Sequence, residues 1–154
     1  MEYAFDICLK NRQLLDGILK TLSLEQLNTI PPGFNNNILW NIGHSIVTQQ
    51  LLVYGLSGNE FKIEQHLIDI YRKGTKPERA MTQKEVDEIQ NLLFSTLSQL
   101  EADYASGIFK DYKQYTLGTT GGTLSTVENA IEFNNYHEGL HLGYSMALAR
   151  LVKS

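Results

Sequence analysis

Two histidines four residues apart, His137 and His141, are the residues of this 154-residue chain whose spacing most directly suggests chemistry. In a helix, four residues advance the chain by about 400°, so the two imidazoles project within roughly 40° of each other and about 6 Å apart along the axis. That is close enough for both to bind one ion. A third histidine, His44, stands in an apolar stretch between Trp40, Ile46 and Val47, where an unpartnered imidazole is costly to bury. Coordination of all three to one divalent ion removes that cost. Neutral imidazole nitrogen is a good ligand for zinc, nickel or ferrous iron, and three such ligands leave positions open for water or substrate, as catalytic sites do. The expected metal ligands are therefore His44, His137 and His141.

The neighbours of these histidines suggest how the centre is framed. His137 shares a helical register with Phe133, Leu140 and Tyr144, which predicts that this side of the helix faces a bundle core. Asn41 and Asn134 each precede a candidate ligand by about one turn and can either hydrogen-bond a ligand or substrate or serve helix packing. Trp40 and Tyr144 are pocket candidates as well as core candidates, and Phe133 and Tyr136 read most simply as core. The run His137-Glu138-Gly139-Leu140-His141 also matches the H-E-x-x-H pattern of zinc peptidases. Those enzymes take a third ligand downstream on a larger mixed α/β scaffold, whereas no histidine or acidic residue follows His141 here. The peptidase reading is set aside on that ground. Glu138 lies about 100° around the helix from His137, and the solvent-facing reading is preferred over a ligand-orienting one. Gly139 weakens a helix interior by roughly 1 kcal/mol relative to alanine, which predicts a close approach to the backbone there. His66 lies in a polar stretch and is expected to be exposed.

Helical periodicity dominates the segments that must position these residues. The first runs from about Glu2 to Thr21, with Phe5, Leu9, Leu15, Ile18, Leu19 and Leu22 near one face. Ser23 and Gln26 stand in capping-box spacing and open a single turn that Pro31-Pro32 must end. Asn35-Asn36-Asn37 offers N-caps for a second helix from about Asn37 to Leu56. The polar stretch from Ser57 to Met81 has a short helical pattern around Gln65 to Tyr71 and is too long for a simple turn between antiparallel neighbours. It is expected to be a crossover that returns the next helix parallel to the second. Thr82 with Glu85 starts a third helix reaching about Ser106-Gly107, and Ser125 with Glu128 starts a fourth reaching about Val152. Between them, residues 109–117 read as briefly extended, and the glycines of residues 118–122 read as a hinge rather than an anion cradle. The fold class expected is all-α, a four-helix bundle formed as one domain over residues 1–154.

Composition narrows the function further. Hydrophobic residues make up 42% and charged residues 19% of the chain, which is globular composition, and 3 prolines leave room for long helices. The net charge is −4, and the 13 basic residues are scattered singly or in pairs such as Arg72-Lys73, so no stripe tracks a phosphate backbone and nucleic acid is not an expected partner. The apolar run from Ile38 to Leu56 is broken by Asn41, His44, Gln49 and Gln50 and reads as a packed helix, not a membrane span. The single cysteine, Cys8, sits among Phe5, Leu9 and Leu15 as a core thiol, and the N-terminus has no basic start or cleavage site of a signal peptide. A cytoplasmic location is expected.

Nearly the whole chain resembles the DinB/YfiT-like superfamily of metalloenzymes. Trp40-Asn41-Ile42-Gly43-His44 is similar to the family's first-ligand motif on helix two, and His137-Glu138-Gly139-Leu140-His141-Leu142-Gly143 to its motif on helix four. The resemblance implies an up-down-down-up bundle, a nickel or zinc ion on the three histidines, and a homodimer. Relatives with known chemistry include transferases that join a low-molecular-weight thiol to an electrophile, and thiol-dependent isomerases. In such chemistry the metal acidifies the thiol and creates a thiolate nucleophile at neutral pH. Two functions are therefore carried forward: a metal-dependent transferase or hydrolase of small molecules, and a non-catalytic bundle that dimerises or sequesters a ligand.

Overall fold

The structure is a computed structural model and describes residues 1–153. Four long helices carry it: α1 (Glu2–Thr21), α3 (Ile38–Gln49), α5 (Gln83–Ala105) and α6 (Val127–Lys153), with the shorter α2 (Leu24–Asn28) and α4 (Gln65–Tyr71) in the connections. Strands β1 (Tyr115–Thr116) and β2 (Thr123–Leu124) form a small antiparallel hairpin, with Tyr115 opposite Leu124 and Thr116 opposite Thr123. The main helix contacts are those of α6 with α3 and α1, and of α5 with α1 and α3. No described helix is long and apolar enough to cross a membrane.

The helix ends follow local sequence chemistry. Ser23 with Gln26 and Thr82 with Glu85 both form complete capping boxes. The Asn37 side chain accepts from the Trp40 amide at 2.8 Å and starts α3. The last helix starts one residue later than its expected Ser125–Glu128 cap, because Thr126 Oγ1 accepts from the Asn129 amide while the Asn129 side chain accepts from the Ser125 amide. Past Gln49 the second long helix widens into a π-helical segment, Gln50–Gly55. There the buried Gln50 side chain accepts from the Lys62 amide at 2.7 Å, tying the crossover to the helix.

Two apolar clusters fill the interior. The larger joins Leu15, Leu19, Ile42, Ile46, Tyr71, Ile89, Leu93 and Leu148 across the helices. The smaller, at the hairpin end, joins Val53, Tyr54, Leu100, Leu117, Leu124 and Ile131. On α1 the buried stripe is Cys8, Arg12, Leu15, Asp16 and Leu19: of the expected face Leu15, Leu19 and Leu22 are buried, while Phe5, Leu9 and Ile18 are only half-buried, so the helix is rotated somewhat toward Cys8 and Arg12. The rotation brings an arginine inside, which is tolerable because its partner is inside too.

Candidate metal centre

The second and fourth long helices bring His44, His137 and His141 together: the ring centroids are 5.1 Å (44 to 137), 4.8 Å (44 to 141) and 4.5 Å (137 to 141) apart. One nitrogen from each ring lies within 4.8 Å of the others. Metal–imidazole bonds of about 2.1 Å in a tetrahedral site need nitrogens about 3.4 Å apart, so modest side-chain rotations close the triangle.

Two of the rings are held from behind by carbonyl oxygens. His44 Nδ1 donates to the Tyr71 backbone carbonyl at 2.7 Å, and His141 Nδ1 donates to Asn41 Oδ1 at 2.8 Å. Each bond fixes the tautomer and leaves Nε2 as the acceptor nitrogen, and on His44 the Thr48 hydroxyl donates to that Nε2 at 3.4 Å. Asn41 is itself oriented, since its amide nitrogen donates to the Asn37 carbonyl at 2.8 Å. The Trp40 ring stacks on His44 at 4.6 Å with an 8° interplanar angle, and its indole nitrogen donates to Thr75 Oγ1 at 2.9 Å. His137 Nδ1 is buried with no hydrogen-bond partner among the described residues.

Gly43 makes the Tyr71 contact possible. A Cβ at Gly43 would stand 2.6 Å from ring carbons of Tyr71, closer than real side chains approach. Without it the Tyr71 ring lies directly on α3, and the carbonyl of the same residue reaches the imidazole of the next residue, His44. The Gly43-His44 dipeptide is thus a packing requirement as well as a motif.

Burial keeps all three imidazoles neutral. It pushes His137 down to about 3 and His141 down to about 4, with the neighbouring imidazoles adding to the effect. His44 is lowered mainly by burial, against the raising effect of its bond to Tyr71, with the charge of Lys73 lowering it further. Three neutral, inward-facing imidazoles, His44 buried and the other two half-buried, one with an orphaned nitrogen, are a donor set suited to a divalent ion.

The other sequence candidates divide. Trp40 and Asn41 stand at the centre. Asn134 does not: its amide donates to Glu138 Oε1 at 3.1 Å, on the side of α6 that faces α1. Tyr144 is half exposed and packs edge-on against Phe34, and Leu140 and Tyr136 are also exposed, so the expectation that they face the core is corrected. The buried stripe of α6 instead runs through Ala130, Ile131, Asn134, Glu138, Leu142 and Ser145, with His137 and His141 along its border. Nothing approaches a Cβ at Gly139 within 4 Å, so the predicted close approach is absent. His66 is exposed, as expected.

Glu138 requires the largest correction. It is 1% exposed rather than solvent-facing and pairs with Arg12, which is 0% exposed, at 2.8 Å. Arg12 also donates to the Leu93 carbonyl and Thr96 Oγ1 on α5 at 2.6 and 2.7 Å, so one guanidinium joins three helices. Cys8 Sγ donates to the other carboxylate oxygen at 3.4 Å, and burial pushes this thiol up to about 12. The signal in the sequence was a charged residue, Arg12, on the Cys8–Leu15–Leu19 stripe, which only a buried acid could answer. A cavity of about 520 Å³, lined by Leu39, Trp40, Ile70, Tyr71, Thr75 and Met81 among others, lies beside the centre and has none of the three histidines in its wall.

A sequence model described as the DinB superfamily matches residues 9–145, a span that takes in all three histidines. No curated protein matches the chain.

Proposed function

Because the chain belongs to the DinB superfamily, we propose that it is a metal-dependent enzyme of small-molecule chemistry, a thiol transferase or hydrolase, with a zinc or nickel ion on His44, His137 and His141. The observation that carries this reading is the set of three neutral imidazoles within bonding reach of one point. A divalent ion held there supplies Lewis acidity, which lowers the pKa of a thiol or water. The residues of the chain do the rest. Tyr71 and Asn41 aim two imidazoles, Trp40 stacks behind one, and among the described residues no carboxylate belongs to the cluster. In this reading the long helices run up-down-down-up, supported by the pairing of α1 and α3 each with α5 and α6 and by the long crossover.

A homodimer is part of the same proposal, supported by Tyr136, Leu140, Tyr144 and Leu151, exposed apolar residues that share one face of α6 with Gly139 and Gly143. Elemental analysis of untagged protein equilibrated with zinc or nickel should find about one ion per chain, and none in His141→Ala. An enzyme keeps its fold in that variant; a marked fall in melting temperature instead supports a structural ion and the non-catalytic reading.

A further inference from the structure

The cavity of about 520 Å³ between the crossover and the start of α3 is separate from the histidine cluster, since none of the three imidazoles is in its wall. Packed interiors keep few voids larger than a water molecule, and this volume is in the range of small-molecule sites. The deep part of the wall is apolar: Leu39, Trp40 and Tyr71 are buried there, with Ile70 and Met81 half-buried beside them. Each of these walls is tied to the fold by a bond of its own. The Trp40 indole donates to Thr75 Oγ1 at 2.9 Å, and that hydroxyl donates to the Ile70 carbonyl at 2.6 Å. Asn28 clamps the Met81 backbone, accepting from its amide at 2.6 Å and donating to its carbonyl at 3.0 Å. Little ordering is left for a ligand to impose.

Two features of the wall define what fits. The first is charge. The charged residues of the wall are Asp69, Lys76, Glu78 and Arg79, two of each sign, all exposed, and Arg79 is already paired with Glu85. The buried part holds no charge to receive an ion, so a charged ligand would lose hydration there without gaining a partner. The second is a hydroxyl. Tyr71 is 2% exposed, and the one hydrogen bond of its O–H among the described residues goes to Met81 Sδ at 3.8 Å. Thioether sulfur is a weak acceptor, so a buried phenol donor is left almost unused in the cavity wall.

We propose that this cavity is a second small-molecule site, which takes a neutral, largely apolar molecule with a hydrogen-bond acceptor, and that the Tyr71 hydroxyl donates to that acceptor. The site shares Trp40 and Tyr71 with the surroundings of His44 and needs no ion, so the inference stands apart from the metal reading. A neutral hydrogen bond of this kind changes affinity about fivefold.

Trp40 is the only tryptophan of the chain, so its indole N–H gives a single resonance in the NMR spectrum of isotope-labelled protein. Acetophenone should shift that resonance saturably, with a Kd of about 1 mM or tighter, and its methyl group should show nuclear Overhauser contacts to Ile70 and Met81. Benzoate and benzylammonium, charged molecules of similar size, should bind at least about tenfold more weakly. α-Methylstyrene, in which a methylene replaces the carbonyl oxygen, should also bind. Tyr71→Phe should weaken acetophenone about fivefold and leave α-methylstyrene unchanged. No saturable shift, contacts elsewhere than Ile70 and Met81, charged molecules bound as tightly as acetophenone, or a Tyr71→Phe variant that affects both neutral ligands alike overturns the inference. The first three of these are read on wild type and do not depend on the variant folding.

Discussion

At the scale of single residues, the interior contains two polar constellations on one helix, back to back. His137 and the neighbouring Glu138 point to different partners: the imidazole toward α3, the carboxylate toward Arg12 on α1. The Arg12–Glu138 pair is fully desolvated, and a buried charge left without its partner typically costs 3–5 kcal/mol, whereas replacing both members by apolar residues of similar volume is often neutral. Urea denaturation should therefore show Glu138→Leu destabilised by about 3 kcal/mol or more, and the double variant Arg12→Met with Glu138→Leu recovering most of that loss. A double variant destabilised by the sum of the two single losses would show that the pair does not act as a unit. Cobalt uptake should survive in the double variant, since neither residue touches an imidazole.

At the scale of elements, α6 has three faces with separate tasks: the buried stripe through Asn134 and Glu138, the histidine border, and an apolar face open to solvent. The third face is where a second copy would pack. Leu140→Glu places a charge in the middle of it and should turn a dimer into a monomer in sedimentation equilibrium, with little change in cobalt uptake because Leu140 lies outside the cluster. A wild-type chain that sediments as a monomer at tens of micromolar would remove the dimer from the proposal. The crossover is the other element with a specific task. Its short helix α4 ends at Tyr71, whose ring occupies the space above Gly43 and whose carbonyl holds His44, so a segment that looks like a linker positions a candidate ligand.

At the scale of the whole molecule, the histidine cluster ties stability to pH. In the ion-free fold all three pKa values lie below the ordinary histidine value of 6.5, with His141 near 4 and His137 near 3. Above pH 6.5 folded and unfolded chains are both neutral at these sites and stability is flat. As pH falls from 6.5 toward 3 the unfolded chain takes up protons that the folded one refuses, so stability falls through that window and levels off below it. The ion-pair carboxylate of Glu85, lowered to about 2 chiefly by its bond to Arg79, adds a second loss only between about 4.5 and 2. Urea midpoints of metal-free protein at pH 7.5, 5.5 and 4.5 should decline in that order, and the decline should flatten in His137→Gln with His141→Gln. A bound divalent ion should raise all three midpoints, most at pH 7.5, where protons do not compete for the imidazoles.

The sequence by itself determined the elements and the ligand candidates, because both are written in local spacing. Capping boxes, glycines and prolines set the helix bounds to within a residue or so, and i, i+4 geometry puts His137 and His141 together whatever surrounds them. The tertiary structure alone decided how each helix is rotated and what lies behind each ring. Glu138 reads as a surface residue until Arg12, 126 positions away, answers its charge in the interior. The same holds for Tyr71 behind His44 and Asn41 behind His141, contacts across 27 and 100 residues. Burial of a polar group is favourable only when its partner arrives, and the arrival depends on packing between helices, which periodicity along one helix does not specify.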